Sequence, residues 1–152
     1  MKIIGIDVGL KTTGYAVIED GRFITSGVCS TTNKLPTHKR LKKLYDEMKA
    51  VIQKEKPDVA VYETIFYKQN PKSLCELAQA RGVLLIAAEE NGIKIKEYTP
   101  TEIKKAVSGS GRASKYQVHG MVERLLKIKT EPSMDISDAI ACTLCYAMKN
   151  EK

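Results

Sequence analysis

The chain has 152 residues and a net charge of +7, with 25 Lys and Arg against 18 Asp and Glu. That length suits one domain, 1–152, with a real core, and no run reaches the ~18 apolar residues that a bilayer span needs. Too few apolar residues precede Asp7 for a signal peptide, so a cytoplasmic protein is expected, and the basic excess favours a polyanionic partner, although a Lys-rich surface explains the charge equally well.

Residues 1–9 carry β-branched side chains at Ile3, Ile4, Ile6 and Val8, the profile of a strand buried on both faces. Asp7 interrupts that run near its end. A buried carboxylate must be paired or metal-bound, so Asp7 either meets a cation or caps the turn before Thr12 and Thr13. Residues 9–14 read as a tight turn and 15–19 as a second strand. Asp20-Gly21 is a hairpin signal that returns 22–30 antiparallel. Phe23, Thr25, Gly27 and Cys29 are expected on one side of that third strand, with Ile24, Ser26 and Val28 on the other.

Thr37 is placed as the N-cap of a helix running to about residue 56, with Leu41, Leu44, Met48, Val51 and Ile52 at helical spacing and Pro57 as its stop. Residues 58–63 repeat the first strand's design, an apolar run closing on a carboxylate, Glu63. A strand after a helix argues for a parallel addition to the sheet. Residues 64–72 read as a loop carrying Phe66 and Tyr67 beside Lys68 and Lys72. Ser73 is placed as the cap of a long helix of small and apolar residues closing at Gly92, a candidate subunit interface. A fifth strand is expected over 93–98, and a short helix with Lys104 and Lys105 over 101–107. A flexible basic loop with Arg112 follows, then a helix capped by Ser114 with Lys115 in its first turn. The last helix starts near Met134 and carries Asp135 and Asp138.

The four cysteines lie in apolar contexts, as reduced thiols acting as small hydrophobes would. Cys142 and Cys145 form a C-x-x-C with no second pair and no nearby His, so core packing outweighs a zinc site. His119, inside a helix, is expected to pack or be solvated and not to act as a base.

Asp7, Glu63, Asp135 and Asp138 are the candidate catalytic and metal-binding set. Two end strands expected to be neighbours, and two stand three apart on one helix face. Each has a plainer reading, as a strand-end acid or a first-turn acid favoured by the helix dipole. Together they suit Mg2+, which takes a few carboxylates and keeps waters and phosphate oxygens. Two such ions would support phosphodiester hydrolysis, with Mn2+ a workable substitute. Phe66 would stack on a base, and Lys104 and Lys115, flanking a Gly-Ser-Gly loop, would contact phosphate.

Gly5-Ile6-Asp7-Val8-Gly9 with Thr13-Gly14-Tyr15, then Glu63-Thr64-Ile65-Phe66, Gln79-Ala80-Arg81-Gly82-Val83 and Asp135-Ile136-Ser137-Asp138-Ala139 resemble RuvC-type Holliday-junction resolvases in order and spacing along nearly the whole chain. The resemblance implies a ribonuclease-H-like α/β fold with a mixed five-stranded sheet, three antiparallel strands and then two parallel additions. It implies a homodimer that nicks four-way junction DNA in symmetric pairs with Mg2+, leaving 5′-phosphate and 3′-hydroxyl ends. It assigns the four acids to the metals, Lys104 and Lys115 to the scissile backbone and Phe66 to the junction centre. Tyr67, Lys68, Lys72, Lys105 and Arg112 complete the expected DNA contacts, and a branch-migration motor complex is a further conceivable partner. Val8 departs from the Pro of many relatives, and the chain stops soon after the last helix. Competing readings are a non-catalytic branched-DNA module, a same-fold nuclease acting on RNA, and an actin- or Hsp70-like ATP-binding domain, for which the chain is too short.

Overall fold

The computed structural model describes residues 1–65, 70–128 and 134–150. Phe66, Tyr67 and Lys68 lie outside these, as does the whole of the expected break at 130–133. Five strands, β1 (Lys2–Asp7), β2 (Thr12–Glu19), β3 (Arg22–Ser30), β4 (Val59–Glu63) and β5 (Lys94–Tyr98), form one sheet in the order β3-β2-β1-β4-β5. The first three run antiparallel, β4 adds parallel to β1, and β5 adds parallel to β4, as expected. The helices are α1 (Thr37–Glu55), α2 (Pro71–Glu90), α3 (Pro100–Ser108), α4 (Lys115–Leu126) and α5 (Met134–Asn150).

The period-two alternation of side chains divides the sheet between two cores. Ile4, Ile6, Val17, Ala60 and Tyr62 meet Leu44, Met48 and Ile52 of α1 and Ala80, Leu84, Ala87 and Ala88 of α2. Ile3, Ala16, Ile18, Val59 and Val61 meet α3, α4 and α5 on the opposite face. Burial of β1 on both faces is what its unbroken apolar run requires. Asp7 and Glu63 share the parity of Ile3, Gly5, Val59 and Val61, so both carboxylates belong to the face that α5 covers.

Several boundaries differ from the sequence reading, each for an identifiable reason. The second strand begins at Thr12 and not at residue 15, because Asp7 pairs with Gly14 and extends the hairpin toward its turn. A bulge between Val17 and Ile18 of β2 shifts the register against β3, where Thr25 and Phe23 are consecutive partners and Ile24 is extra. Phe23 and Cys29 therefore reach opposite cores, against the simple alternation expected. Pro36, not Thr37, stands at the N-cap of α1, without a side-chain cap bond. Asn70, not Ser73, caps α2, its side chain accepting from the Lys72 and Ser73 N–H groups, because Pro71 already fits the first helical turn. Ser114 caps α4 as expected, within a capping box completed by Gln117. Cys29, Cys142 and Cys145 are buried as expected, whereas Cys75 is exposed on α2.

Candidate active site

Two glycines decide how near α5 comes to the sheet. A Cβ on Gly5 would lie 2.0 Å from the Ala139 carbonyl oxygen, and one on Gly14 would lie 2.5 Å from that of Asp135. Only hydrogens at these two positions let the first turns of α5 lie against β1 and β2. The same contact carries Asp135 and Asp138 to the end of β1, where Asp7 emerges. On the other side, Ile6 pairs with Tyr62, so Asp7 and Glu63 follow one step later on adjacent parallel strands.

Asp7, Glu63, Asp135 and Asp138 line one cleft of about 390 Å3, together with Lys104, Lys115, Thr64 and the apolar Val8, Ile65, Leu77, Pro100 and Ile103. All four expected acids and two of the expected basic residues thus share one opening. Burial, reinforced by the charges of Asp138, Asp135 and Glu63 and by a hydrogen bond with Asp135, pushes the Asp7 carboxyl up to about 8. It is not a turn cap. The Thr13 hydroxyl performs that task, donating to the Gly9 carbonyl at 2.6 Å and accepting from the Gly9 N–H at 3.2 Å.

Lys115 pairs with one of the acids. Its Nζ lies 3.4 Å from Asp138 Oδ2, and Asp138 foremost, with Asp7 and Glu63, holds its ammonium group above the usual lysine range. Lys104 lines the same cleft with no acidic partner among the described residues. Lys72, Lys105 and Arg112 are exposed and lie outside the cleft lining.

Residues given no role from sequence secure this arrangement. The Arg81 guanidinium donates from Nη1 to the Glu63 carbonyl at 2.8 Å, pairs with Glu97 through Nη2, and sits 5.6 Å from the Tyr62 ring centroid. It anchors the backbone from which Glu63 projects, and only its place in the Gln79-to-Val83 motif signalled it. His119 Nδ1 lies 2.9 Å from the Ser137 hydroxyl, joining α4 to the turn of α5 that carries the acids, a packing role as expected. Lys149 Nζ donates to Glu102 Oε1 at 2.7 Å and ties the far end of α5 to α3.

Could these residues hold a metal? The donors are hard oxygens, and the raised Asp7 carboxyl marks an anionic cluster short of positive charge. Among the described residues no three such groups already form a closed set able to hold an ion. Hard-oxygen donors of this kind suit a divalent cation that also keeps water and phosphate oxygens in its shell.

Residues 3–146 match the family model described as "Crossover junction endodeoxyribonuclease RuvC". The protein of that name from Bordetella pertussis is 42% identical over 151 residues, covering 97% of this chain and 83% of its own length. The one from Halothermothrix orenii is also 42% identical over 151 residues, covering 96% of this chain and 92% of its own. Among solved structures, Thermus thermophilus RuvC in complex with a Holliday junction substrate superposes with a TM-score of 0.91 at 28% identity, covering 98% of this chain and 94% of that one.

Proposed function

This chain belongs to the RuvC family of crossover junction endodeoxyribonucleases, and on that premise we propose that it resolves four-way DNA junctions by metal-dependent hydrolysis of symmetrically placed phosphodiester bonds. The observation that carries the chemistry is the meeting of Asp7, Glu63, Asp135 and Asp138 in one cleft beside two lysines. These four carboxylates would hold Mg2+, or Mn2+ in its place. When bound, such ions supply Lewis-acid stabilisation of the charge developing on the attacking and departing oxygens.

The protein's own groups do the remainder. Buried walls and neighbouring carboxylates keep Asp7 in a site with little water, where a cation is strongly attracted. Lys115 offsets part of the charge of Asp138 and orients it. Lys104, free of an acidic partner among the described residues, is available to a phosphate oxygen of the incoming strand. Arg81 keeps Glu63 from drifting as the strand enters. Phe66, Tyr67 and Lys68 belong to the same reading as contacts near the junction centre, with Lys72, Lys105 and Arg112 holding the arms.

Lys115→Ala is expected to slow nicking by about 10²-fold, the scale seen when one positioned electrostatic group is removed. Junction affinity should change far less. A variant that nicked at the wild-type rate would remove Lys115 from the site.

Two symmetric cuts need two sites at a fixed separation, which a two-fold dimer provides. Helix α2 is the proposed interface, since Cys75, Ala78 and Gly82 are exposed along it and Ile86 is 54% exposed. A Cβ at Gly82 would meet nothing within 4 Å. No contact among the described residues therefore explains a helix-interior glycine, which is less favourable than Ala by ~0.5–1 kcal/mol. Ile86→Lys should give monomers in sedimentation and uncouple the two nicks, whereas a persistent dimer would place the interface elsewhere.

The proposed function is tested by incubating the protein with a synthetic four-way junction and Mg2+ and mapping the nicks. Paired nicks at symmetric positions, with 5′-phosphate and 3′-hydroxyl ends and linear duplex left intact, are expected. Junction binding without cleavage would favour a non-catalytic module, and preferential cleavage of RNA would favour a same-fold ribonuclease.

A further inference from the structure

Arg40 stands near the start of α1 and is only 9% exposed, yet no carboxylate among the described residues pairs with it. Its one hydrogen bond runs from Nε to the Thr31 hydroxyl at 3.0 Å, and that hydroxyl donates in turn to the Leu10 carbonyl at 2.5 Å. Both Nη atoms are left without a protein acceptor. They are not sealed, because Thr64 Oγ1 is the one side-chain oxygen or nitrogen among the described residues that is both closed to solvent and unpartnered. A guanidinium taken largely out of water without an anion beside it is costly, and its free fork matches two oxygens of one oxyanion. Held at Nε and open at Nη, Arg40 is set to receive an anion from outside the chain.

The surroundings narrow which anion that is. Between Asp20 and Asp46 the chain has six Lys and Arg and no acid. Lys42 and Lys43 are answered by Asp46 and Glu47, whereas Lys11, Lys34 and Lys39 are exposed with no acidic partner among the described residues. The start of α1 adds the positive end of its dipole, with neither a first-turn acid nor a side-chain cap to offset it. So much unanswered positive charge suits a polyanion. β1 and β3 both run antiparallel to β2, so Asp7 and Ser30 close their strands at the same end of the sheet. Leu10 follows Asp7 by three residues, which keeps their Cα atoms within ~11 Å. Lys104 and Lys115 come from α3 and α4 on one face of the sheet, and Arg40 comes from α1 on the other. We propose that Arg40 Nη1 and Nη2 bind a backbone phosphate of the junction DNA, with Lys11 at the rim, and so hold the DNA on the side of the cleft away from Lys104 and Lys115. The inference rests on the junction-nuclease reading and adds a second phosphate site to it.

The test compares wild type, Arg40→Met and Lys11→Gln for melting temperature and for junction affinity in Ca2+ over a salt series, with wild-type nicking followed in Mg2+. Arg40→Met fills much of the same space and removes a buried charge, so it should melt at or above the wild-type temperature. It should nonetheless bind junctions about 10-fold more weakly at low salt, and its log affinity should fall less steeply with log salt, by about one in slope. Methylphosphonate substitution, linkage by linkage, should reveal one phosphate, distinct from the one that is cut, whose neutralisation weakens wild type and adds little in Arg40→Met. Lys11→Gln should show a smaller loss and the same non-additive linkage, and it carries the comparison should Arg40→Met fail to fold. Wild-type affinity and salt slope in a folded Arg40→Met would overturn the inference and leave Arg40 as a brace for Thr31. Full additivity at every linkage would also overturn it. Failure of wild type itself to nick junctions would instead sink the functional reading on which the inference stands.

Discussion

Asp7→Asn is expected to abolish metal-dependent nicking while making the metal-free protein harder to melt at neutral and alkaline pH. The loss should be about 10³-fold or more, because the metals' stabilisation of developing charge is worth several kcal/mol and each ~1.4 kcal/mol is tenfold. The stability gain comes from the same physics. In the fold the Asp7 carboxyl is raised from its ordinary 3.8 to about 8, by burial first and then by Asp138, Asp135 and Glu63. A group whose folded value is raised contributes stability that is complete below the unfolded value and lost as pH climbs through the folded one. Metal-free wild type should therefore weaken progressively between about pH 4 and about pH 8. Asp7→Asn, with no charge to lose, should lack that part of the decline and melt roughly 5 °C higher at pH 8. Adding Mg2+ should close the gap by stabilising wild type alone. Thermal scans across this pH range, with EDTA and with Mg2+, check both halves. A variant less stable than wild type at pH 8 without metal would mean that the four carboxylates do not repel one another as the fold requires.

Gly5→Ala is expected to be the most damaging single methyl group that can be added to this molecule. Its Cβ would sit 2.0 Å from the Ala139 carbonyl oxygen and 2.8 Å from Thr143 Cγ2, so α5 must retreat from β1. Overpacking of a tight core costs about 1–3 kcal/mol, and a clash with backbone places Gly5→Ala at the top of that range or beyond it. Retreat of α5 would also carry Asp135 and Asp138 away from Asp7, so nicking should fall further than stability alone explains. Gly120→Ala is the control, because its Cβ meets nothing within 4 Å and should add up to ~1 kcal/mol of helix stability. Urea unfolding of the two variants measures the contrast, and equal stability would disprove the close approach of α5.

The features legible in the sequence were those whose signal is local. An apolar run closing on a carboxylate announced both β1 and β4, and acids three residues apart on a helix announced Asp135 and Asp138 as one face. The strand directions followed from a hairpin signal and from the strand-helix-strand alternation after it. What escaped depends on contacts between distant segments. The bulge at Val17 and Ile18 has no turn residue to mark it, and it moved Phe23 to the other core. Gly5 and Gly14 look like ordinary strand glycines until α5 is laid against them. Arg81 is eighteen residues from Glu63, and the carbonyl it fixes carries no sequence signal. The capping errors had a local cause. Thr37 and Ser73 are good cap residues, but Pro36 and Asn70 preceded them in positions that began the helix earlier.

Calorimetric titration of Mn2+ into wild type and into Asp7→Asn, Glu63→Gln, Asp135→Asn and Asp138→Asn shows whether acids from three separate segments form one cation-holding site. Each replacement is expected to weaken binding by about 10-fold or more, since each removes a charged oxygen donor from a shared site. A wild-type isotherm retained in Asp7→Asn or Glu63→Gln would mean that the strand-end acids do not share a cation with Asp135 and Asp138.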